Sequence, residues 1–175
     1  LTAVAKVDDD LVEIVDVEKI IAEIVPQPAG VSPEVIEERL ADVAKRSTVL
    51  IADDSSVARN QVRKTLEQVG VQVVAAKDGR EALNLLNDLA ADVDDLTDKI
   101  LLVISDIEMP EMDGYTLTTE IRSNPKLAKL FVVLHTSLSG VFNQAMVQKV
   151  GADYFIAKFQ PDILAKTVQD QLKRK

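Results

Sequence analysis

The stretch Thr48-Val-Leu-Ile-Ala-Asp-Asp54 is a short apolar run that ends in two carboxylates. Two later runs also end in charge: Ile100-Leu-Leu-Val-Ile-Ser-Asp106 closes on a carboxylate, and Asp153-Tyr-Phe-Ile-Ala-Lys158 closes on an ammonium group. Short apolar runs bounded by polar residues are typical of buried strands. Parallel strands that lie side by side share one carboxyl edge, where ligand crevices open. We therefore expect these charged groups to converge on one site.

The alternation of patterns predicts the fold class. From residue 47 onward, strand-like runs alternate with helical patterns, as in repeated βα units on a parallel sheet. One helix, for example, carries Val62, Leu66 and Val69 on one face and is stopped by Gly70. Five strands and five helices account for this region. We predict an α/β fold with a doubly wound parallel sheet.

The N-terminal segment follows a different pattern. Two apolar stretches, Ala3–Val7 and Leu11–Val15, flank three aspartates and predict a hairpin, and Asp16 is a candidate cap for a short helix. A hairpin and one short helix cannot bury their apolar faces alone. We therefore interpret residues 1–25 as the end of another domain or as a segment that docks elsewhere.

Residues 26–46 connect this segment to the first strand of the sheet. The proline-rich part 26–33 has the composition of a linker. From Ser32 and Pro33 we predict one helix that runs to about Arg46. The predicted inward side of that helix consists of Ile36, Leu40 and Val43.

Composition excludes several classes of function. The chain has 175 residues and a net charge of −9, which disfavours nucleic acid because Lys and Arg bind phosphate backbones. The absence of cysteine rules out disulfides and thiolate metal sites. We find no signal peptide, and no apolar run approaches the ~20 residues that span a bilayer. A cytoplasmic location without membrane insertion is expected.

Carboxylates at strand ends suit a hard divalent cation. Mg²⁺ prefers oxygen ligands and usually combines one or two carboxylates with phosphate oxygens and water. The candidate ligands are the carboxylates of Asp53, Asp54 and Asp106 and a backbone carbonyl near Glu108. A carboxylate can also attack phosphorus and form an acyl phosphate. Lys158 and a hydroxyl donor such as Thr136 would then neutralise charge on the phosphoryl oxygens.

Residues 47–175 resemble a response-regulator receiver domain, the module that accepts phosphate from a histidine kinase. The motifs that carry the resemblance are Asp53-Asp54, Asp106-Ile-Glu-Met-Pro-Glu-Met-Asp-Gly114, Thr136-Ser137 and Gly151-Ala-Asp-Tyr-Phe-Ile-Ala-Lys158. The resemblance implies a five-stranded sheet in the order 2-1-3-4-5. It also implies a module that catalyses its own phosphorylation and dephosphorylation and turns over no external substrate.

The same resemblance implies a role for each matching residue. Asp106 would be the phosphoacceptor, and Lys158 would pair with the phosphoryl group. Thr136 would bond that group and follow it inward, and Phe155 would be the aromatic switch that moves with it. The implied Mg²⁺ ligands are Asp54 and the Glu108 carbonyl directly, Asp53 largely through water, and Asp106.

A narrower resemblance is to the CheV family of chemotaxis coupling proteins, in which a CheW-like domain precedes a CheY-like receiver. It rests on Leu134-His-Thr-Ser-Leu-Ser-Gly140, on Lys158-Phe-Gln-Pro161 and on the acidic insert Ala91–Lys99. Residues 4–21 are similar to the end of a CheW-like domain, most of which would lie outside this chain. The implied partners are a CheA-type histidine kinase and, through the CheW-like domain, the chemoreceptor array.

Three alternatives stay open. The chain could be a freestanding, diffusible CheY-like receiver whose N-terminal segment forms a homodimer. It could be a receiver used only as a docking surface and never phosphorylated. It could also be a phosphohydrolase with an aspartate nucleophile, although such enzymes typically carry a second Asp where Glu108 stands and add a cap domain for which this chain has no room.

Overall fold

The first described element is an antiparallel hairpin. This computed structural model describes residues 3–7, 10–14, 30–136, 141–158 and 160–175. Strand β1 (Ala3–Val7) pairs with β2 (Asp10–Ile14), so the predicted hairpin is present and its second strand begins one residue earlier than expected. The predicted helix after Asp16 lies outside the described residues.

A five-stranded parallel sheet forms the centre of the receiver-like region. Its strands are β3 (Thr48–Ala52), β4 (Gln72–Ala76), β5 (Ile100–Ser105), β6 (Val132–Thr136) and β7 (Tyr154–Ala157). The strands lie in the order β4-β3-β5-β6-β7, and every neighbouring pair is parallel. Counted from β3, this is the order 2-1-3-4-5, which confirms the predicted fold class.

Helices cover both faces of this sheet. After α1 (Ala41–Ala44), they are α2 (Ser56–Val69), α3 (Gly79–Ala91), α4 (Gly114–Ser123), α5 (Val141–Val150) and α6 (Pro161–Leu172). Alternate residues of a strand point to opposite faces, so Ile51 packs in the core with α2 and α6 while Leu50 packs in the core with α3 and α4. Within the described part of the chain, no helix is long and apolar enough to cross a bilayer.

Local capping explains where several helices begin. The Asp78 carboxylate accepts a hydrogen bond from the Glu81 N–H at 2.8 Å, as the capping-box pattern predicts. The Glu81 carboxylate accepts a hydrogen bond from the N–H of Lys77 rather than from that of Asp78. Helix α2 ends at Gly70, whose φ of +92° is a left-handed conformation that glycine adopts without steric cost.

The prediction of one continuous helix before β3 is wrong. The segment from residue 33 to residue 44 consists of two 3₁₀ turns, Pro33–Val35 and Glu38–Leu40, followed by α1. Ile36 and Glu37 between the turns have extended backbone angles. Val43, predicted on the inward side, is 38% exposed, and its neighbour Ala44 is fully buried instead.

The side chain of Gln169 in α6 explains this break. Its Nε2 donates to the Val35 carbonyl at 2.8 Å, and its Oε1 accepts from the Glu37 N–H at 2.6 Å. These two bonds satisfy backbone groups that a helix would satisfy internally. Val35 and Ile36 also pack against the core beneath α2 and α6. Tertiary contacts therefore override the helical periodicity of this segment, which we call the linker (residues 30–46).

Candidate functional site

The strand register brings the ends of four strands to one edge of the sheet. Ala52 of β3 pairs with Ser105 of β5, and Thr136 of β6 pairs with Ala157 of β7. Asp53, Asp106 and Lys158 directly follow three of these strand ends and therefore lie at the same edge of the sheet. Backbone bonds continue past the last pairs, since the Asp106 N–H donates to the Ala52 carbonyl at 2.7 Å.

Lys158 links two of the predicted carboxylates. Its Nζ lies 2.7 Å from Oδ2 of Asp106 and 3.2 Å from Oδ2 of Asp53. All three side chains are almost inaccessible to solvent. Charged groups this deeply buried need partners, because desolvation of an isolated charge is costly. The structure thus brings together the ammonium and both carboxylates that the sequence placed at strand ends.

A third carboxylate completes the cluster. Asp54 is exposed at the rim, and one carboxylate oxygen each of Asp53, Asp54 and Asp106 lies within 4.8 Å of the other two. Oxygens at this spacing suit a single hard divalent cation, which takes six oxygen ligands including water. Glu108 is exposed in the loop after β5. Its assignment as a carbonyl ligand stays a prediction.

Burial perturbs the electrostatics of Asp53. Burial raises its pKa to about 6, the negative charge of Asp106 adds to this rise, and the Lys158 ammonium counteracts it. The Ser55 N–H, which donates to Asp53 Oδ1 at 2.8 Å, also favours the ionised form. Because the raised pKa lets this carboxylate bind a proton more readily, protons compete with any cation that binds to Asp53.

The backbone around Asp106 is held in a close-fitting loop. Oδ1 of Asp106 accepts from the Ile107 N–H at 2.7 Å, and its carbonyl accepts from the Ser105 hydroxyl at 2.8 Å. The chain returns at Gly114, where α4 begins and whose N–H donates to the Ile107 carbonyl. A Cβ at Gly114 would lie 2.1 Å from the Asp106 carbonyl oxygen. Only glycine permits this approach.

The two residues predicted to form the switch occupy neighbouring strands. Thr136 ends β6 and is fully buried, and its carbonyl accepts from the Lys158 N–H at 2.9 Å. Phe155 lies in β7 beside Leu134, is half-buried, and packs against a small cluster that includes Val147. The switch role of both residues stays a prediction.

Sequence reasoning missed one supporting contact. The guanidinium of Arg59 is half-buried and donates from Nη1 to the Asp53 carbonyl. Arg59 lies six residues after Asp53, near the start of α2. No pattern in the sequence distinguishes this arginine from the other basic residues of that helix.

Comparisons with known proteins agree with this geometry. The response regulator receiver domain family matches residues 49–169, which is more than half of the chain. The chain belongs to the response regulator receiver family. Its relatives include the chemotaxis protein CheV1 of Helicobacter pylori, 30% identical over 95% of this chain, and CheV3 of the same organism, 30% identical over 72%. The predicted relationship to CheV receivers is therefore confirmed.

A solved structure shows the same fold. The chemotaxis protein CheY4 of Vibrio cholerae is 30% identical and superposes with a TM-score of 0.60 over 71% of this chain and 97% of its own. By contrast, the chain spans 50% of CheV1 and 41% of CheV3, about half the length of these curated relatives. This receiver is thus homologous to those of CheV and CheY proteins.

Proposed function

We propose that this chain carries the phospho-accepting receiver of a chemotaxis signalling protein, in which Asp106 takes a phosphoryl group from a CheA-type histidine kinase. The observation that carries the proposal is the contact of one buried ammonium, on Lys158, with the carboxylates of Asp106 and Asp53. This arrangement supplies an anionic nucleophile and a cation for the incoming phosphoryl oxygens in one place.

The chemistry proposed for the site is a single group transfer. A carboxylate oxygen of Asp106 attacks phosphorus, and the new P–O bond makes an acyl phosphate. The bond from phosphorus to the imidazole nitrogen of the donor breaks, and its electron pair stays on that nitrogen. Lys158 then pairs with a phosphoryl oxygen, and the Thr136 hydroxyl donates to another. No turnover of an external substrate is expected.

The residues of the site fit Mg²⁺. Three carboxylates and one ammonium leave an excess of two negative charges, which a divalent cation balances. The residues that would hold the ion are Asp53, Asp54, Asp106 and the carbonyl of Glu108. When bound, Mg²⁺ would supply positive charge that offsets repulsion between the carboxylate and the phosphoryl group.

The partners follow from the CheV relationship. We infer that the receiver acts at chemoreceptor clusters in the cytoplasm and modulates the coupling of receptors to the kinase through a CheW-like domain. The extent of the match to CheY4, which covers nearly all of that protein, also supports a second candidate, a freestanding receiver. Co-sedimentation of the full-length natural protein with receptor-containing membranes separates the two, because only a coupling protein is retained at the array without phosphorylation.

Mass spectrometry after incubation with acetyl phosphate and Mg²⁺ tests the phosphoacceptor. The unaltered chain should gain the mass of one phosphoryl group, and Asp106→Asn should gain none. Asp113→Asn is the matched control, because Asp113 is an exposed carboxylate in the same loop and asparagine also caps helices well. Label on Asp106→Asn, or a chain that takes no label, contradicts the proposal.

A further inference from the structure

His135 and Lys158 share one face of the sheet. His135 of β6 pairs with Ile156 of β7, and Lys158 follows Ile156 by two residues. Because side chains alternate along a strand, His135, Ile156 and Lys158 point to the same side. That side is the α2–α6 side, since Ile156 belongs to the core that these helices cover. His135 and Lys158 are therefore diagonal neighbours, within reach of each other for a long side chain.

A cavity lies directly beside this pair. It has a volume of about 530 Å³ and is lined by His135 and Lys158, by apolar residues of α2 and α6 such as Val62 and Leu164, and by polar residues of α2 such as Lys64 and Gln68. The flexible stem of a lysine has several rotamers of similar energy. The Lys158 stem can consequently aim its ammonium at the carboxylates or swing it toward this cavity, unless a neighbouring side chain blocks the second path.

His135 has the properties that such a barrier needs. It is only 5% exposed, so its ring is fixed in the wall of the cavity. Burial, with a smaller effect from the charge of Lys158, lowers the pKa of His135 to about 3. The imidazole is thus neutral at physiological pH and does not repel the ammonium beside it.

We propose that His135 is a positioning residue for Lys158, whose ring closes the side of the cavity next to the lysine and keeps the ammonium on Asp106 and Asp53. This inference rests on the proposed function, because the consequence is a faster transfer of phosphate to Asp106. His135 does not touch the phosphoryl group; it acts through Lys158. The 2.7 Å and 3.2 Å contacts of the ammonium are the geometry that it preserves.

The direct test is the rate of phosphorylation of the full chain by acetyl phosphate with saturating Mg²⁺. His135→Ala removes the ring and should slow labelling by about tenfold to a hundredfold, since a displacement of about 1 Å in a positioned group can cost about a hundredfold. His135→Phe keeps a planar ring and should restore most of the rate. Should the alanine variant fail to fold, His135→Val, which suits a strand and also lacks the ring, takes its place.

Two controls separate positioning from general support of the fold. Val62→Ala enlarges the same cavity from α2, where Val62 is 3% exposed, and should lower stability without changing the rate. Affinity for Mg²⁺, measured by calorimetry, should not fall in His135→Ala, because the three carboxylates that would bind the ion are unchanged and the ammonium that competes with the ion is held less firmly. A weakened affinity would assign His135 to general support and overturn the proposal.

A double-mutant cycle with Lys158→Ala gives the decisive result. If His135 acts through Lys158, adding His135→Ala to Lys158→Ala should produce no further slowing, because interacting residues are non-additive. An equal fractional slowing in both backgrounds, or an unchanged rate in His135→Ala alone, overturns the inference. These outcomes differ from failure of the proposed function, in which the unaltered chain itself takes no phosphate on Asp106.

Discussion

Replacing Gln169 by alanine should release the linker from the last helix. Gln169 is 2% exposed and makes both of its linker hydrogen bonds to backbone groups, the carbonyl of Val35 and the N–H of Glu37. Alanine keeps the helix intact because it is the best helix former. The substitution therefore isolates the contact between the linker and α6 from the stability of α6 itself.

The two bonds set the size of the effect. A typical hydrogen bond contributes about 1 kcal/mol net, and a buried backbone group left without a partner costs about 1–3 kcal/mol. Since both linker groups are partly buried, we expect a loss of about 2–4 kcal/mol in the free energy of unfolding. The bonds from Ser32 to the Asp162 carboxylate, at 2.7 and 2.8 Å, remain and keep the start of the linker near α6.

Urea unfolding measures the loss in global stability, and hydrogen exchange at the Glu37 amide measures the local loss of protection in the linker. Thr167→Ala is the matched control: Thr167 lies on the same helix, is half-buried, and its hydroxyl donates to the Ile163 carbonyl within that helix. The control should change stability by less than about 0.5 kcal/mol. If Gln169→Ala changes stability as little as the control does and the Glu37 amide stays protected, the linker does not depend on Gln169 and the explanation of its broken helix is wrong.

Three further predictions concern the site. Gly114→Ala should lower the melting temperature, because its Cβ would lie 2.1 Å from the Asp106 carbonyl oxygen and overpacking costs about 1–3 kcal/mol; an unchanged thermal melt would contradict the tight loop. Lys158→Met should lower the free energy of unfolding, measured in urea, by about 3–5 kcal/mol, because it leaves Asp53 and Asp106 buried without their cation. Added Mg²⁺ should restore part of this lost stability. Affinity for Mg²⁺, followed by calorimetry, should fall about tenfold per pH unit below about pH 6, where Asp53 binds a proton, and Asp53→Asn should flatten this dependence.

The raised pKa of Asp53 also has a defined effect on stability without added cation. A folded-state pKa of about 6 against an ordinary value of 3.8 means that the folded chain binds this proton more tightly than the unfolded chain. The resulting stabilisation is complete below pH 3.8 and is lost as pH rises through 6. Mg²⁺ should reverse the trend near neutrality, because it favours the ionised carboxylate.

Patterns within single elements were sufficient to predict the sheet and the location of the charged groups. The apolar runs ending at Asp53, Asp106 and Lys158 became β3, β5 and β7, because short buried strands have a strong local signal. Their convergence followed from parallel pairing alone. Apolar character alone is less decisive in α6, where Leu164 is buried but its neighbour Ile163 is 43% exposed.

Features that depend on distant contacts were not predictable. The linker breaks because Gln169 bonds to Glu37 across 132 positions of sequence, and no local pattern contains that information. The Arg59 contact with the Asp53 carbonyl and the close approach of Gly114 to the Asp106 carbonyl join residues that are nearer in sequence. Both depend on how the loops after β3 and β5 fold, which the periodicity of strands and helices does not encode.

For the proposed transfer of phosphate to Asp106, the contacts of its carboxylate indicate which bond must change. Its Oδ1 accepts from the Ile107 N–H and its Oδ2 contacts Lys158. The Ile107 bond belongs to the loop that Gly114 closes, so it is the more rigid of the two. The Lys158 contact is the adjustable one, because the ammonium also lies 3.2 Å from Asp53 and keeps a carboxylate partner when it turns toward a phosphoryl oxygen. Transfer of the lysine from one anion to another therefore costs less than breaking a lone buried ion pair, in which no second carboxylate is available.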